Sequence, residues 1–384
     1  MKITHICLTG AFTDGLTYQE NLLPKYHNIL GYKVSVIASQ WGWGKNNNLE
    51  RITQTNYTNQ DGVEVFRIAT VYGNIISRFK IYKNLYQTIE RTNPSVLFIH
   101  GCQFLDIFTI IRYLQKHPRV KVYVDNHADF SNSAQGWLSK NILHKIIWRM
   151  CARAIEPYTT KFYGVLPARV DFLKDVYKLP AAKCELLVMG ADDDMVEQAT
   201  NPQVRSQTRR QYGIKEDDFL IVSGGKINHN RPETLHLMQA VKNLQDPHVK
   251  LLIFGAVATE LKTQFDSLCD NKQIIFAGWQ QALQTQQIMA AAELIVFPGL
   301  HSVMWEQAVA LGIPCIFRKL KGFDHVDVGG NAVLLQDVSE RGLEKAVSEI
   351  IRNQQQYARM KSVAQEKGLK TFSYREIAKR SIEA

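Results

Sequence analysis

The sequence predicts an α/β protein of two doubly wound domains, each a parallel sheet with helices on both faces. Strand-length apolar runs alternate with helix-patterned stretches along the whole chain. The alternation falls into two successive series, which argues for two sheets and not one. A chain of 384 residues also exceeds one ordinary core, so two domains of roughly 150–200 residues are expected.

In order, the first series reads Ile3–Leu8, Lys33–Ala38, Val63–Ile68, Val96–His100, Val120–Val124 and Phe162–Leu166. The second reads Phe219–Ser223, Lys250–Gly255, Gln273–Ala277, Leu294–Pro298, Pro314–Phe317 and Ala332–Leu335. Helical patterns fall between strands, as over Arg231–Leu244, Gln284–Ala292, Val303–Leu311 and Leu343–Arg352. Gly190-Ala191-Asp192-Asp193-Asp194, followed by the polar Gln198–Gln207, reads as a linker. It divides the chain into a first domain over 1–190 and a second over 191–371.

Apolar residues make up 45% and charged residues 21%, the balance of a folded globular protein and not of a disordered one. No apolar run reaches the roughly 18 residues of a membrane span. The first residues carry neither an apolar h-region nor a small-residue cleavage site. The six cysteines are scattered and form no C-x-x-C pair, as expected of reduced core thiols in a cytoplasmic protein. Residues 1–190 hold 23 of the 46 Lys and Arg but 13 of the 36 Asp and Glu, so this half carries the whole formal net charge of +10. That bias suggests an anionic partner: a phosphorylated acceptor, an anionic membrane surface or nucleic acid. A solvated basic face explains it equally well, and no nucleic-acid recognition motif accompanies it, so nucleic acid is not expected.

Ligands of open α/β sheets bind beyond the carboxyl ends of the strands. That directs attention to the loops after Leu8, His100, Val124, Ser223, Gly255, Ala277 and Pro298. Val222-Ser223-Gly224-Gly225-Lys226, continued by Ile227-Asn228-His229-Asn230-Arg231, reads as a strand end, a turn and a helix start. Gly-Gly lets a backbone approach a ligand closely, and Lys226 and Arg231 are spaced to grip a diphosphate. A surface Lys and Arg after a strand are common without any ligand. A second such unit runs from Phe297-Pro298-Gly299-Leu300-His301-Ser302-Val303 into Met304-Trp305-Glu306-Gln307-Ala308. Gly299, Ser302 and Val303 would present backbone N–H groups, and Glu306 could accept both hydroxyls of a ribose. Its plain alternative is a first-turn acid favoured by the helix dipole.

Together these motifs resemble the retaining glycosyltransferase family 4, of cell-surface polysaccharide type, whose GT-B fold sets two Rossmann-like domains facing across a cleft. Gly225-Lys226 with Arg231 resembles that family's Gly-Arg followed by Lys five residues later. Leu251-Leu252-Ile253-Phe254-Gly255, Ile275-Phe276-Ala277-Gly278-Trp279 and Glu293–Pro298 resemble its strands leading to the donor loop. Glu306 with Ala310-Leu311-Gly312-Ile313-Pro314 matches the second acid of its E-x7-E motif and the Gly-x-Pro that follows. Phe372-Ser373-Tyr374 is similar to the start of its final helix, about 372–384, which packs back on the first domain. The first half is similar more loosely, through Gly10–Gly15, Tyr18 and the Cys184–Gly190 crossover.

The resemblance implies sugar transfer from a nucleotide-sugar donor, a UDP- or GDP-sugar, to a glycan acceptor, lipid-linked glycans included. Lys226, Arg231 and His127 would be catalytic, stabilising the departing diphosphate and contacting the transferred sugar. Gly225, Gly255, Trp279, Gly299, Ser302, Val303 and Glu306 would bind the donor. Gly15, Tyr18, His100 and His301 would lie on the acceptor and sugar side. No cofactor and no metal are expected, and Asp192-Asp193-Asp194 reads as a solvated linker. The expected location is cytoplasmic, peripheral at the inner membrane face, where Gln135–Ile155, rich in Trp, Ile, Lys and Arg, and Ile75–Tyr86, rich in Ile, Phe, Tyr, Lys and Arg, could lie in the interface. One departure stands out: Pro298 occupies the position of the first acid of E-x7-E. It keeps open a catalytically silent subunit that binds glycan or chaperones a partner, while a nucleotide-sugar epimerase or hydrolase on the same fold would share the donor site without needing a basic acceptor half.

Overall fold

The computed structural model describes residues 1–44, 48–71, 80–229 and 232–383. They form two compact units, Met1–Met189 with Tyr374–Ala384 and Gly190–Ser373.

Unit 1 contains β1 (Lys2–Cys7), β2 (Lys33–Ser39), β3 (Trp41–Trp43), β4 (Leu49–Arg51), β5 (Asn56–Thr58), β6 (Glu64–Ile68), β7 (Val96–His100), β8 (Lys121–Asn126), β9 (Lys161–Gly164) and β10 (Cys184–Leu186). Eight of them make one sheet in the order β10-β9-β8-β7-β1-β2-β6-β5, parallel except for the edge pair β5–β6. β3 and β4 pair separately and antiparallel. The helices are α1 (Gln19–Ile29), α2 (Leu85–Thr92), α3 (Ile107–Lys116), α4 (Arg149–Ile155) and α5 (Pro167–Asp175), with a π-helical segment over Ser139–Trp148 leading into α4. Every residue of β7 is buried, as a central parallel strand covered on both faces requires.

Unit 2 contains α6 (Asp193–Ala199), α7 (Pro202–Gln211), β11 (Phe219–Ile227), α8 (Glu233–Asn243), β12 (Val249–Val257), α9 (Lys262–Leu268), β13 (Ile274–Gly278), α10 (Ala282–Ala290), β14 (Leu294–Phe297), α11 (Met304–Ala310), β15 (Cys315–Arg318), β16 (Ala332–Leu335), α12 (Glu340–Arg352) and α13 (Gln354–Phe372). Its six strands are all parallel, in the order β13-β12-β11-β14-β15-β16. The order reverses between β11 and β14, and this switch point is where doubly wound sheets hold their ligands.

Three local expectations are corrected. The stretch read as a linker is helical: Asp192 caps α6 by accepting from the Asp194 amide, and Asn201 caps α7 by accepting from Gln203 with Pro202 at its first turn. Asp192 is therefore buried and not solvated. Gly224-Gly225-Lys226 does not form a turn, because Gly224–Ile227 continue in register with Phe254–Val257 and extend both strands. Finally, Phe372 ends α13, Ser373 is extended, and a separate helix, α14 (Tyr374–Arg380), follows.

Candidate functional site

At the switch point of unit 2, Gly224, Gly225 and Lys226 of β11 meet Glu233 and Thr234 of α8 and residues of the 298–305 loop around a hollow. The glycines are there for contact. A Cβ on Gly224 would lie 2.6 Å from the Phe254 ring, and one on Gly255 would lie 2.0 Å from the Gly225 carbonyl oxygen. Gly225 and Gly255 both hold φ near +120°, at +121° and +122°, a region side chains disfavour. The paired strand ends can therefore run on together and carry Lys226 to the rim. Lys226 is exposed and makes no ion pair among the described residues. Gly299 and Ser302 line the same hollow. Gly255 acts on it through Gly225, and Trp279, 72% exposed, follows the outer strand β13. Arg231 lies outside the described residues.

Glu233 in the lining of this hollow, and Arg318 paired to it, escaped the sequence reading. Glu233, the first residue of α8, is buried, and its Oε1 accepts from Nη1 of Arg318 at 2.7 Å. Its Oε2 is buried without a hydrogen-bond partner among the described residues. Arg318 ends β15, a strand whose following loop was absent from the loops first singled out.

That loop also supplies the partner of Glu306. The Glu306 carboxylate is wholly buried, not on a solvated first turn. Its Oε1 accepts from Nε2 of His301 at 2.9 Å and from Nε2 of His325 at 2.8 Å. Burial pushes this carboxyl up, but the two imidazoles more than offset it and hold it at about 2. His301 is thus turned inward and committed to Glu306, with its side chain 6% exposed. Glu306 Oε2 is buried and has no hydrogen-bond partner among the described residues. Asn331 fixes the loop by accepting from the Val328 amide and donating to the Val326 carbonyl. Trp305 stacks on Phe317 with ring centroids 4.6 Å apart and anchors the start of α11. Two imidazoles and a carboxylate also suit a divalent ion. Hydrogen bonds account for their closeness without one.

In unit 1 the strand order reverses between β1 and β7, and the remaining predicted residues follow these strands. Gly15 has φ +77° in the loop after β1, and Tyr18, 52% exposed, precedes α1. His100 ends β7 and is buried; its Nδ1 lies 2.8 Å from Asp125 Oδ2 at the end of β8. His127 follows β8, with Nε2 3.3 Å from the same oxygen and 37% of the side chain exposed. Burial pulls His127 down, but Asp125 outweighs it, so the ring titrates above its ordinary value. The His100–Asp125 contact is a hydrogen bond, whereas His127 Nε2 meets the same oxygen as an ion pair and is buried without a hydrogen-bond partner among the described residues. Beside the end of β1 a cavity of about 420 Å³ is lined mainly by Leu8–Ala11, Trp41, Lys80 and Tyr82. The Lys80 amine meets the Thr9 carbonyl, and burial lowers it to about 8.

Residues 204–367 match the family described as Glycosyl transferases group 1. No curated protein matches the chain in sequence. Among solved structures it is similar to a glycosyltransferase from Rickettsia africae, at 12% identity and TM-score 0.69 over 100% of this chain and 97% of that one. It is also similar to Alr3699/HepE of Anabaena in complex with UDP-glucose, at 16% identity and TM-score 0.65 over 100% and 98%. A third is the UDP-GlcNAc 2-epimerase of Neisseria meningitidis bound to UDP-GlcNAc, at 11% identity and TM-score 0.65 over 100% and 99%. Unit 2 thus carries a glycosyl transferases group 1 domain, in a chain whose fold is GT-B.

Proposed function

We propose that the protein transfers a sugar from a nucleotide-sugar donor to a glycan acceptor with retention, as a family 4 enzyme of cell-surface polysaccharide assembly. The observation that carries this reading is the exposed cation Lys226, unpaired among the described residues and delivered by paired glycine strand ends to the switch point of a group 1 domain. Lys226 and Arg231 hold the diphosphate and stabilise its charge as it leaves, aided by backbone amides of Gly299–Val303. Glu306 Oε2 takes a ribose hydroxyl. His127 meets the transferred sugar, and the cavity beside Lys80 in unit 1 receives part of the acceptor. Transfer needs no divalent metal, because fixed cations do the electrostatic work. The test is a binding screen against UDP-, GDP-, ADP- and CMP-sugars, followed by turnover with any donor that binds. No binding of any of them refutes the reading.

The likeness to the Neisseria epimerase favours a second reading, a nucleotide-sugar epimerase on the same fold. It predicts a changed sugar nucleotide without any acceptor, whereas a transferase releases the nucleoside diphosphate only when a glycan is added.

The acceptor is proposed to be lipid-linked and met at an anionic membrane face. Trp137, Leu138, Ile146 and Met150 are 70%, 64%, 61% and 50% exposed around the π-helical segment and α4, an unusual concentration of exposed apolar side chains. Lys140 and Lys145 lie on the same segment, and all of the net charge belongs to residues 1–190. Of the other candidate stretch, Ile75–Tyr86, residues 75–79 lie outside the described residues. No described helix is long and apolar enough to cross a membrane.

A further inference from the structure

Three histidines form an unbroken chain inside unit 1. His27 Nδ1 lies 3.0 Å from His5 Nε2, and His5 Nδ1 lies 3.0 Å from His100 Nε2. His100 Nδ1 then lies 2.8 Å from Asp125 Oδ2. At the other end His27 Nε2 lies 3.0 Å from the carbonyl oxygen of Ala378, on α14. Ser381 Oγ is also 3.0 Å from that nitrogen, but its hydroxyl lies 2.8 Å from the same carbonyl and donates there. All three rings are buried.

The number of protons follows from the two ends. A carbonyl oxygen accepts only, so His27 must present Nε2–H to it. His27 Nδ1 is then a lone pair, which requires Nε2–H on His5, and by the same step Nε2–H on His100. A carboxylate at the far end also accepts only, so His100 must carry a proton on Nδ1 as well. Two ring–ring bonds and two acceptor ends need four protons, and three neutral imidazoles supply three. Reversing the chain removes the extra proton and turns the Ser381 hydroxyl from Ala378 to His27 Nε2. It still sets that nitrogen's lone pair against the Ala378 carbonyl oxygen at 3.0 Å and leaves the carbonyl without either donor.

We infer that this chain holds one proton more than three neutral rings, on His100, and thereby limits the pull of Asp125 on His127. The charges balance: the His100 imidazolium faces the Asp125 carboxylate, while His5 and His27 stay neutral. Burial independently holds His5 well below its ordinary value and lowers His27 to about 4. Asp125 Oδ2 is then shared between His100, the Gln19 amide and His127. His5 and His27 are positioning residues: they touch no substrate but set the charge beside a ring that, on the proposed function, meets the transferred sugar. A full charge on His127 would oppose the positive charge developing at that sugar. The other groups acting on His127 are Glu20 of α1, which raises it, and Arg169 of α5, which lowers it. The buried Cys7 thiol of β1 is pushed far up and stays neutral.

Nitrogen-15 NMR of histidine-labelled full-length protein reads the tautomers directly. The expected pattern is both ring nitrogens of His100 protonated, with His5 and His27 neutral and carrying Nε2–H. Nδ1–H on His5 and His27, or a neutral His100 with the proton on Asp125, overturns the inference. His27→Gln keeps a donor toward Ala378 and an acceptor toward His5, so the His127 titration should stay in place. His27→Leu lets the chain reverse and lose its proton, moving that titration up by about one pH unit. An unmoved His127 in a folded His27→Leu protein refutes the coupling, and wild-type tautomers decide the proton count if that variant does not fold. None of these readouts uses turnover, so they stand apart from the fate of the proposed function.

Discussion

Glu306 and His325 stand nineteen positions apart, on a helix and in the loop after the next strand, yet Nε2 of His325 lies 2.8 Å from Glu306 Oε1. With His301 on the same oxygen, the carboxylate is fixed in a buried place with its charge retained. Glu306→Gln keeps the shape and removes the charge. It should weaken binding of the free nucleotide by about 1.5–3 kcal/mol and slow chemistry less. Calorimetry with UDP or GDP, whichever the screen identifies, is the check, and unchanged affinity removes Glu306 from the donor site.

Lys226→Ala and Arg231→Ala should each lose about 2–4 kcal/mol of transition-state stabilisation, roughly 30- to 1,000-fold in rate. Their charge counts most as the diphosphate departs, so kcat should fall more than donor affinity. Steady-state kinetics on both variants, each shown to be folded, test this. Wild-type rates in both place the diphosphate elsewhere.

Much of this site was legible in the sequence because strand ends advertise themselves. Gly225, Lys226, Gly299 and Ser302 all follow or close apolar runs, and the structure gathers them at one hollow. Glu233 and His325 carried no such signal, whereas Arg318 directly follows the apolar run Pro314–Phe317. Their roles come from pairings across 85 and 19 positions that only the fold creates. The loop after Phe317 could have been flagged by the strand-end rule. The Asp192 and Asn201 caps show a different failure: polar composition was read as a linker where the same residues start helices. The extension of β11 through two glycines was hidden as well, since glycine in a strand makes sense only beside Phe254 and Gly255.

Stability should fall in mild acid. Burial lowers His27 to about 4 in the folded protein from an ordinary 6.5, so the unfolded chain binds the proton more readily in between. That contribution is whole above pH 6.5 and is lost as the pH falls towards 4, on the order of 3 kcal/mol in all. Denaturant melts at pH 7, 6 and 5 should show the decline, and His27→Gln should flatten it. A pH-independent stability over that range contradicts a buried neutral His27.

A chelator should leave initial transfer rates nearly intact, because the cationic work is assigned to Lys226, Arg231 and backbone amides. Loss of activity in EDTA, restored by magnesium or manganese, would instead assign the His301–Glu306–His325 group an ion.

Membrane attachment should be reversible, electrostatic and centred on the segment from Trp137 to Met150. An exposed Trp and Leu followed by Ile146 and Met150 can enter the headgroup region, while Lys140 and Lys145 meet anionic lipid. Each suitably placed cation is worth about 1 kcal/mol near such a surface, and the attraction weakens as salt shortens the Debye length. Arg149 is a poor choice for neutralisation, because its Nε donates to the Val176 carbonyl at 2.6 Å and its loss would disturb the fold. Among the described residues Lys145 bonds the nearby Asn141, and Lys140 sits over the exposed Phe130 ring, so both can be replaced more safely. Co-sedimentation should show binding to anionic but not neutral vesicles at low salt, reduced at moderate salt. A Lys140→Gln/Lys145→Gln double variant should lose most of it, and Trp137→Ala should lose part at every salt concentration. Absence of binding to anionic vesicles at low salt, with full activity on a soluble uncharged glycan, refutes the membrane site and leaves the donor site untouched.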